Sequence, residues 1–166
     1  MKAFRVFCLV ILTMMLLLPV TAQSPKKADV FLLISGSLGD KGFNDSARAA
    51  LDLIKQNYGT NVTLKYTELG TDVAKFAPSL EDAGAEGYDV VFCSNNFNSA
   101  VQEVAPRYPK TLYVMYDGWI NEDISNVYSI QYKNSEAGYL AGALAGLMTK
   151  FTTDTKINSN NIIGFI

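Results

Sequence analysis

Short apolar, β-branched runs alternate along the chain with stretches in which apolar residues recur at helical spacing. Val30 to Ser35 (VFLLIS) reads as a buried strand, followed by a Gly-rich loop over 36–43. Ala47, Ala50, Leu51, Ile54 and Tyr58 then share one helical face, so a helix capped by Asn44 or Asp45 and running to about Tyr58 is expected. Val62 to Leu69 reads as a second strand. Pro78 suits the first turn of a helix that ends near Glu86, with Gly87 at its exit. Tyr88 to Cys93 reads as a third strand. Phe97, Val101, Val104 and Tyr108 mark a helix stopped before Pro109, Thr111 to Asp117 a fourth strand and Val127 to Tyr132 a fifth. The clearest helix runs from Ser135 to Lys150. Ala137, Leu140, Ala141, Leu144, Leu147 and Met148 form its apolar face, and Gly138, Gly142 and Gly146 recur every fourth residue. Such a run is too short to span a bilayer. A helix lying close on a sheet is the expectation.

Strands alternating with helices imply βαβ units: an α/β fold with a mostly parallel sheet and helices on both faces. In such sheets ligands bind at the carboxyl ends of the strands, at the switch point. The loops to watch are therefore 35–44, 93–97 and 117–121. The ends of the chain carry their own expectations. Lys2 and Arg5 precede an apolar run from Val6 to Val20, and Val20-Thr21-Ala22 resembles a leader-peptidase site, so 1–22 reads as a signal peptide. No cysteine occurs in 21–28, so the exported chain is not expected to be lipid-anchored. Residues 161–166 (NIIGFI) read as one more strand, which left unpaired would be a sticky edge. On that ground 23–156 is read as one ligand-binding lobe and 157–166 as the start of a truncated second lobe.

Composition narrows the function. Removing 1–22 leaves 12 basic and 16 acidic residues, about −4, with no basic stripe, so no nucleic-acid partner is expected. After that cleavage Cys93 is the only cysteine, which rules out an internal disulfide and suggests a small apolar residue closing a buried strand. Histidine is absent, which excludes a Ser-His-Asp triad, a Cys-His dyad and a His-based metal site within this chain.

Glycines at 36, 39 and 42 of the first loop bring a nucleotide fold to mind, but the dinucleotide spacing is missing and so is a Walker loop. Asp40 would repel a phosphate. An uncharged polar ligand fits better: Phe43 offers a flat face and Asn44 an amide that both donates and accepts. Phe43 as a core residue and Asn44 as a helix cap are the structural alternatives. In the second loop, Ser94-Asn95-Asn96-Phe97, Asn95 is the candidate contact, against an ordinary capping role. Asp117, closing the fourth strand, can accept two hydrogen bonds from vicinal hydroxyls, or simply form an Asp-Gly turn.

Several segments resemble a known family. Asp40-Lys41-Gly42-Phe43-Asn44 resembles the D-K-S-F-N signature of the basic membrane protein family, the purine nucleoside receptor type of ABC transporter substrate-binding protein. Gly87-Tyr88-Asp89-Val90-Val91 is similar to its entry to strand three. Asn126-Val127 with Glu136-Ala137-Gly138-Tyr139-Leu140-Ala141-Gly142 is similar to its N-V…E-G-x-x-x-G segment. Residues 161–166 look like its "kIGFIGG" strand, cut before the glycines. The resemblance runs in order from about residue 28 to the last.

It implies a type I periplasmic-binding fold, two Rossmann-like lobes closing on a ligand, and a monomeric binding protein without cofactor or chemistry. That protein would hand a nucleoside to an ABC permease at the plasma membrane. By matching position, Phe43 would stack on the base, Asn44 would hydrogen-bond it, Asp117 would take the ribose, and Asp40 would shape the loop. The family's second aromatic and later ribose contacts lie beyond residue 166. Gly42 in place of serine, the polar loop at 94–97, Trp119 and the missing lipid-attachment cysteine depart from the family pattern. A sugar or amino-acid ligand, a remnant that folds but does not transport, and a secreted nucleoside hydrolase built on Asp40 and Asp45 remain the alternatives.

Overall fold

The computed structural model describes residues 27–151 and 162–164. The expected signal peptide and most of the expected second-lobe segment lie outside the described residues. Residues 162–164 carry no strand, so the strand expected over 161–166 is not formed where it is described.

Five strands form one all-parallel sheet: β1 (Ala28–Ile34), β2 (Val62–Glu68), β3 (Val90–Ser94), β4 (Leu112–Tyr116) and β5 (Val127–Ile130), in the spatial order β2-β1-β3-β4-β5. The first strand in sequence is thus interior, with β2 on one side and β3 on the other. A strand covered on both faces reads as a continuous apolar run rather than an alternation. Val30, Leu32, Leu33 and Ile34 are accordingly all buried.

Side-chain alternation sorts the sheet into two faces. On one, Leu33, Val91, Cys93, Tyr113 and Met115 pack against α2 (Phe76–Glu86) and α3 (Asn98–Val104) in a core that also takes in Phe97 and Leu80. On the other, Val30, Leu32 and Ile34 meet only Leu51 of α1 (Phe43–Tyr58) as a buried partner. The α1 face is therefore the thinner half of the core. Cys93 is fully buried, and that burial pushes its thiol upward, so it is an inert packing residue.

Several boundaries have plain local causes. Gly87 takes the left-handed conformation at φ +80°. The Tyr88 amide donates to the Ala83 carbonyl and the Gly87 amide to Gly84, a Schellman closure of α2. Tyr88 is thereby turned out of β3, and its ring stacks on Phe31 at 4.8 Å. The helix expected to continue to Tyr108 is instead cut at Val104, where a 3-10 turn spans Ala105–Arg107. Pro106 has no N–H to continue an α-helix, so the stop falls there and not at the expected Pro109. β5 ends at Ile130, short of Tyr132.

Asn126 joins the two halves of this region. It is buried, and its side-chain Nδ2 donates to the carbonyls of Ala105 at 2.9 Å, Tyr108 at 3.0 Å and Thr111 at 2.9 Å. One side chain thus ties the turn after α3 to the start of β5.

The last helix, α4 (Asn134–Met148), departs furthest from expectation. It forms, but it does not lie close on the sheet: none of its residues is buried, and added Cβ atoms at Gly138, Gly142 and Gly146 would meet nothing. No helix among the described residues is long and apolar enough to cross a membrane.

Candidate functional site

The strand order puts the carboxyl ends of β1 and β3 side by side, while the helices that follow them pack on opposite faces. That is the switch point, where the two connections part and leave a crevice.

The loop after β1 is held from two sides. Gly36, at φ +101°, forms an antiparallel bridge with Gly70 through bonds of 2.8 and 3.1 Å, and the Leu38 amide donates to the Glu68 carboxylate at 2.8 Å. A Cβ at Gly36 would be strained at that φ and would sit 3.2 Å from Asn44 Nδ2. Two aspartates then organise the helix entry. The Asp40 carboxylate accepts the amides of Gly42 at 2.9 Å, Asn44 at 2.8 Å and Asp45 at 3.1 Å. The Asp45 carboxylate accepts those of Gly39 and Lys41, both at 2.8 Å.

Neither Asn44 nor Asp45 caps α1 as expected. Gly42 is the N-cap without a side-chain bond, and Asp40 takes the free amides of the first turn. Those amides cannot cradle a phosphate, and two carboxylates occupy the place where one would lie. The Asn44 and Gly42 amides hold the Asp40 carboxyl below the usual carboxylate range. Its folded-state pKa is lowered, so its contribution is present above the unfolded value and lost as pH falls through the folded one. Amide exchange at Gly42 and Asn44 should therefore accelerate selectively below about pH 4. Exchange that keeps pace with the rest of α1 down to pH 3 would show that the clamp does not depend on ionised Asp40.

Phe43 and Asn44 are the first two residues of α1. Phe43 is 43% exposed, and its ring lies 5.3 Å from that of Tyr116 at 45°. Asn44 Nδ2 donates to the Ser37 carbonyl at 3.2 Å, while its Oδ1 is buried without a partner. After β3, Asn95 is exposed in a 3-10 turn. Its neighbour Asn96 makes the cross-connection instead: Nδ2 donates to Ser35 Oγ at 2.8 Å, and Ser35 Oγ lies 3.0 Å from Ser94 Oγ. These hydroxyls stitch β1 to β3 across the switch point.

Asp117 follows β4 at φ +53°, a conformation Asp and Asn tolerate better than most residues, and its Oδ1 accepts from Asn134 Nδ2 at 3.4 Å. The next residue, Gly118, is closely packed: a Cβ there would lie 2.8 Å from Met115 Cε and 3.2 Å from both Met115 Cβ and Asn98 Oδ1, so these side chains would have to shift. Trp119 is 55% exposed and donates its Nε1–H to Asn121 at 2.8 Å.

Among the described residues, three buried side-chain polar atoms have no partner: Asn44 Oδ1, Asn98 Oδ1 and the Tyr116 hydroxyl. All three belong to residues at the carboxyl ends of strands or in the helices that follow. Burial pushes the Tyr116 hydroxyl upward, so it stays protonated and able to donate. Buried polar groups left unpaired are costly, and each calls for a partner such as a ligand or a bound water. No group of His, Cys, Asp and Glu among the described residues is placed to hold a metal ion. The sequence points to Asn96 only as one of an Asn pair suited to hydroxyls, and it assigns no role to Tyr116, Asn98, Ser35 or Asn134. Ser35 and Asn96 lay within the loops to watch, whereas Tyr116 looked like any strand aromatic and Asn134 lay too far along the chain.

A parallel lobe with two helices on one face, one on the other and a hydrogen-bonding crevice at its switch point has the architecture on which small-molecule sites of the solute-binding type are built. The match to family models is specific: residues 27–162 fit the Bmp model, ABC transporter substrate-binding protein PnrA-like, and the chain belongs to that family. It is 29% identical over 140 residues to a CD4+ T-cell-stimulating antigen of Listeria monocytogenes, covering 80% of this chain and 35% of the relative. It is 30% identical over 138 residues to the ABC transporter nucleoside-binding protein BmpA of Lactococcus lactis, with the same two coverages. Among solved structures it resembles a solute-binding protein of an ABC transporter system from Aeropyrum pernix, with a TM-score of 0.65 and 27% identity over 76% of this chain and 35% of the other. The chain thus spans about a third of the length of these relatives.

Proposed function

We propose that this chain supplies the first lobe of an extracytoplasmic receptor that captures a nucleoside for an ABC importer and performs no chemistry on it. The unpaired polar atoms at the switch point carry this reading: two amide oxygens and one hydroxyl suit an uncharged ligand rich in N–H and O–H groups. The family membership and the Lactococcus lactis relative named as nucleoside-binding support the nucleoside over other polar solutes. Phe43 is assigned to the base, Asn44 and Asn95 to its polar edge, Asp117 to the ribose hydroxyls, and Asp40 to the shape of the loop. The partner is the importer's permease. A free sugar is the second reading, favoured by the Ser35–Ser94–Asn96 wall, which lacks an aromatic ring.

One lobe that supplies half of a micromolar ligand's roughly 8.2 kcal/mol would bind at about millimolar affinity. Titrating the chain with guanosine, inosine and ribose while following the fluorescence of Trp119 tests the assignment. Saturation by the nucleosides alone is expected. Saturation by ribose alone would transfer the site to a sugar, and no response to any of the three up to tens of millimolar would overturn the reading. Phe43→Ala should weaken nucleoside binding by about 1–3 kcal/mol if the ring stacks on a base. An unchanged affinity would remove Phe43 from the site.

A further inference from the structure

Three polar side chains at the switch point form a hydrogen-bonded row whose protons are ordered by burial. Asn96 Nδ2 donates to Ser35 Oγ at 2.8 Å, and Ser35 Oγ lies 3.0 Å from Ser94 Oγ. Ser94 is fully buried, and its hydroxyl has no other hydrogen-bond partner among the described residues. A serine hydroxyl carries one hydrogen and two lone pairs. Were Ser35 to donate to Ser94, the Ser94 hydrogen would be left buried without an acceptor, which is costly. Ser94 is therefore the donor. Ser35 Oγ then accepts twice, from Asn96 and from Ser94, and both its lone pairs are used. Its own hydrogen is left over, held in the one tetrahedral direction that remains.

The outcome is a hydroxyl that donates and does not accept. Ser35 follows β1 at its carboxyl end and is only partly buried, so that hydrogen faces the crevice rather than the core. Asn96 is exposed, and its Oδ1 has no partner among the described residues. The Nδ2 bond to Ser35 fixes which way that oxygen turns. A fixed donor and a fixed acceptor thus stand side by side. They also stand next to the residue assigned to the base's polar edge, because Asn44 Nδ2 bonds the Ser37 carbonyl, two residues after Ser35.

We propose that this pair reads the exocyclic group of the base, an inference that rests on the nucleoside reading above. The Ser35 hydroxyl donates to a carbonyl oxygen, and Asn96 Oδ1 accepts from the ring N–H beside it, so oxo bases are taken in preference to amino bases. An oxo base shows a carbonyl oxygen next to a ring N–H, the complement of this pair. An amino base shows the reverse, an amino group next to a bare ring nitrogen. It would set hydrogen against hydrogen at Ser35 and lone pair against lone pair at Asn96. A sugar hydroxyl both donates and accepts, so the same proton order would not discriminate among sugars. Ser94 touches no ligand. It is a positioning residue that keeps Ser35 a donor.

Matched pairs of nucleosides test the proposal: inosine against adenosine and uridine against cytidine, titrated into the isotope-labelled full chain and followed by amide chemical shifts. In the parent chain the oxo member of each pair should bind about tenfold tighter, the scale of one mismatched hydrogen bond. Ser94→Ala returns a lone pair to Ser35, so the ratio should fall towards one. Asn96→Asp makes Ser35 donate to the new carboxylate and frees a lone pair for an amino group, so the amino member should become the tighter ligand. A purely structural role for the row would weaken both members alike and would not invert their order. Asn96 is exposed, so its variant keeps the test sharp even where Ser94→Ala disturbs the core. Equal affinities within each pair in the parent chain would overturn the proposal and leave the nucleoside reading in place. So would a folded Asn96→Asp chain that keeps the parent's preference. Failure of all four nucleosides to bind would overturn both.

Discussion

Replacing Asn126 by aspartate should lower stability by about 3–5 kcal/mol, a large share of the 5–15 kcal/mol that holds a domain of this size. The amide of Asn126 faces the carbonyls of Ala105, Tyr108 and Thr111 at 2.9 to 3.0 Å. A carboxylate there removes the donor and sets a buried negative charge against three negative dipoles. The Ala105 and Tyr108 carbonyls keep the backbone amides of Tyr108 and Thr111 as donors, whereas the Thr111 carbonyl loses its donor, and a buried acceptor left unpaired costs about 1–3 kcal/mol by itself. Desolvation and the carbonyls would raise the pKa of the introduced carboxyl above its unfolded value. The folded variant then prefers the protonated form, and its stability falls as pH rises through that raised pKa. Its deficit against the parent chain, measured by urea unfolding at matched pH, should be smallest near pH 4 and full at pH 7. An equal deficit at both would mean that charge plays no part, and a deficit under 1 kcal/mol would mean that the turn after α3 holds itself.

The second large effect concerns binding. Asp117→Asn keeps a residue that tolerates φ +53° and removes only the charge, so the fold should be unaffected. A carboxylate accepting two hydroxyls contributes about 1.5–3 kcal/mol for each charged hydrogen bond. Losing that charge should weaken the nucleoside by tenfold or more, seen as the disappearance of saturation-transfer signals from the ribose protons. Persistent ribose signals at parent strength would place the hydroxyls elsewhere, with Asn96 and Ser35 the next residues to test.

Much of this fold was legible because its interior strands are buried, apolar runs. VFLLIS and the run from Tyr88 to Cys93 read as strands from apolar content, the second starting two residues later and ending one later in the structure, and Gly87 at the exit of α2 takes the positive φ that such a stop needs. What escaped the sequence was set by tertiary context. Pro106 and Pro109 can each end a helix, and the tie from Asn126 to the Ala105 carbonyl accompanies the earlier stop. Asp40 reads as a loop charge until its distance to the Asn44 amide is known. The site was legible as loops rather than as atoms. Strand ends and small polar residues pointed to the right segments, whereas the unpaired Tyr116 hydroxyl and the Asn96–Ser35 bond arise from elements far apart in sequence. Helix α4 was recognised by its apolar positions, but its lack of a polar side says that it needs cover without saying where the cover lies.

The interior position of β1 also governs how the chain comes together. Ala28 pairs with Val62 and Val30 with Val90, so both ladders of the first strand wait for segments made much later. At about 5–20 residues per second, the second ladder trails β1 by several seconds of synthesis. Through that interval VFLLI is an unpaired, uncharged, β-prone segment of the kind that self-associates. Its closure then requires long loops, which places this lobe among the slower folders of its size. The strand best shielded in the finished lobe is the one most in need of a holding factor while the chain is being made.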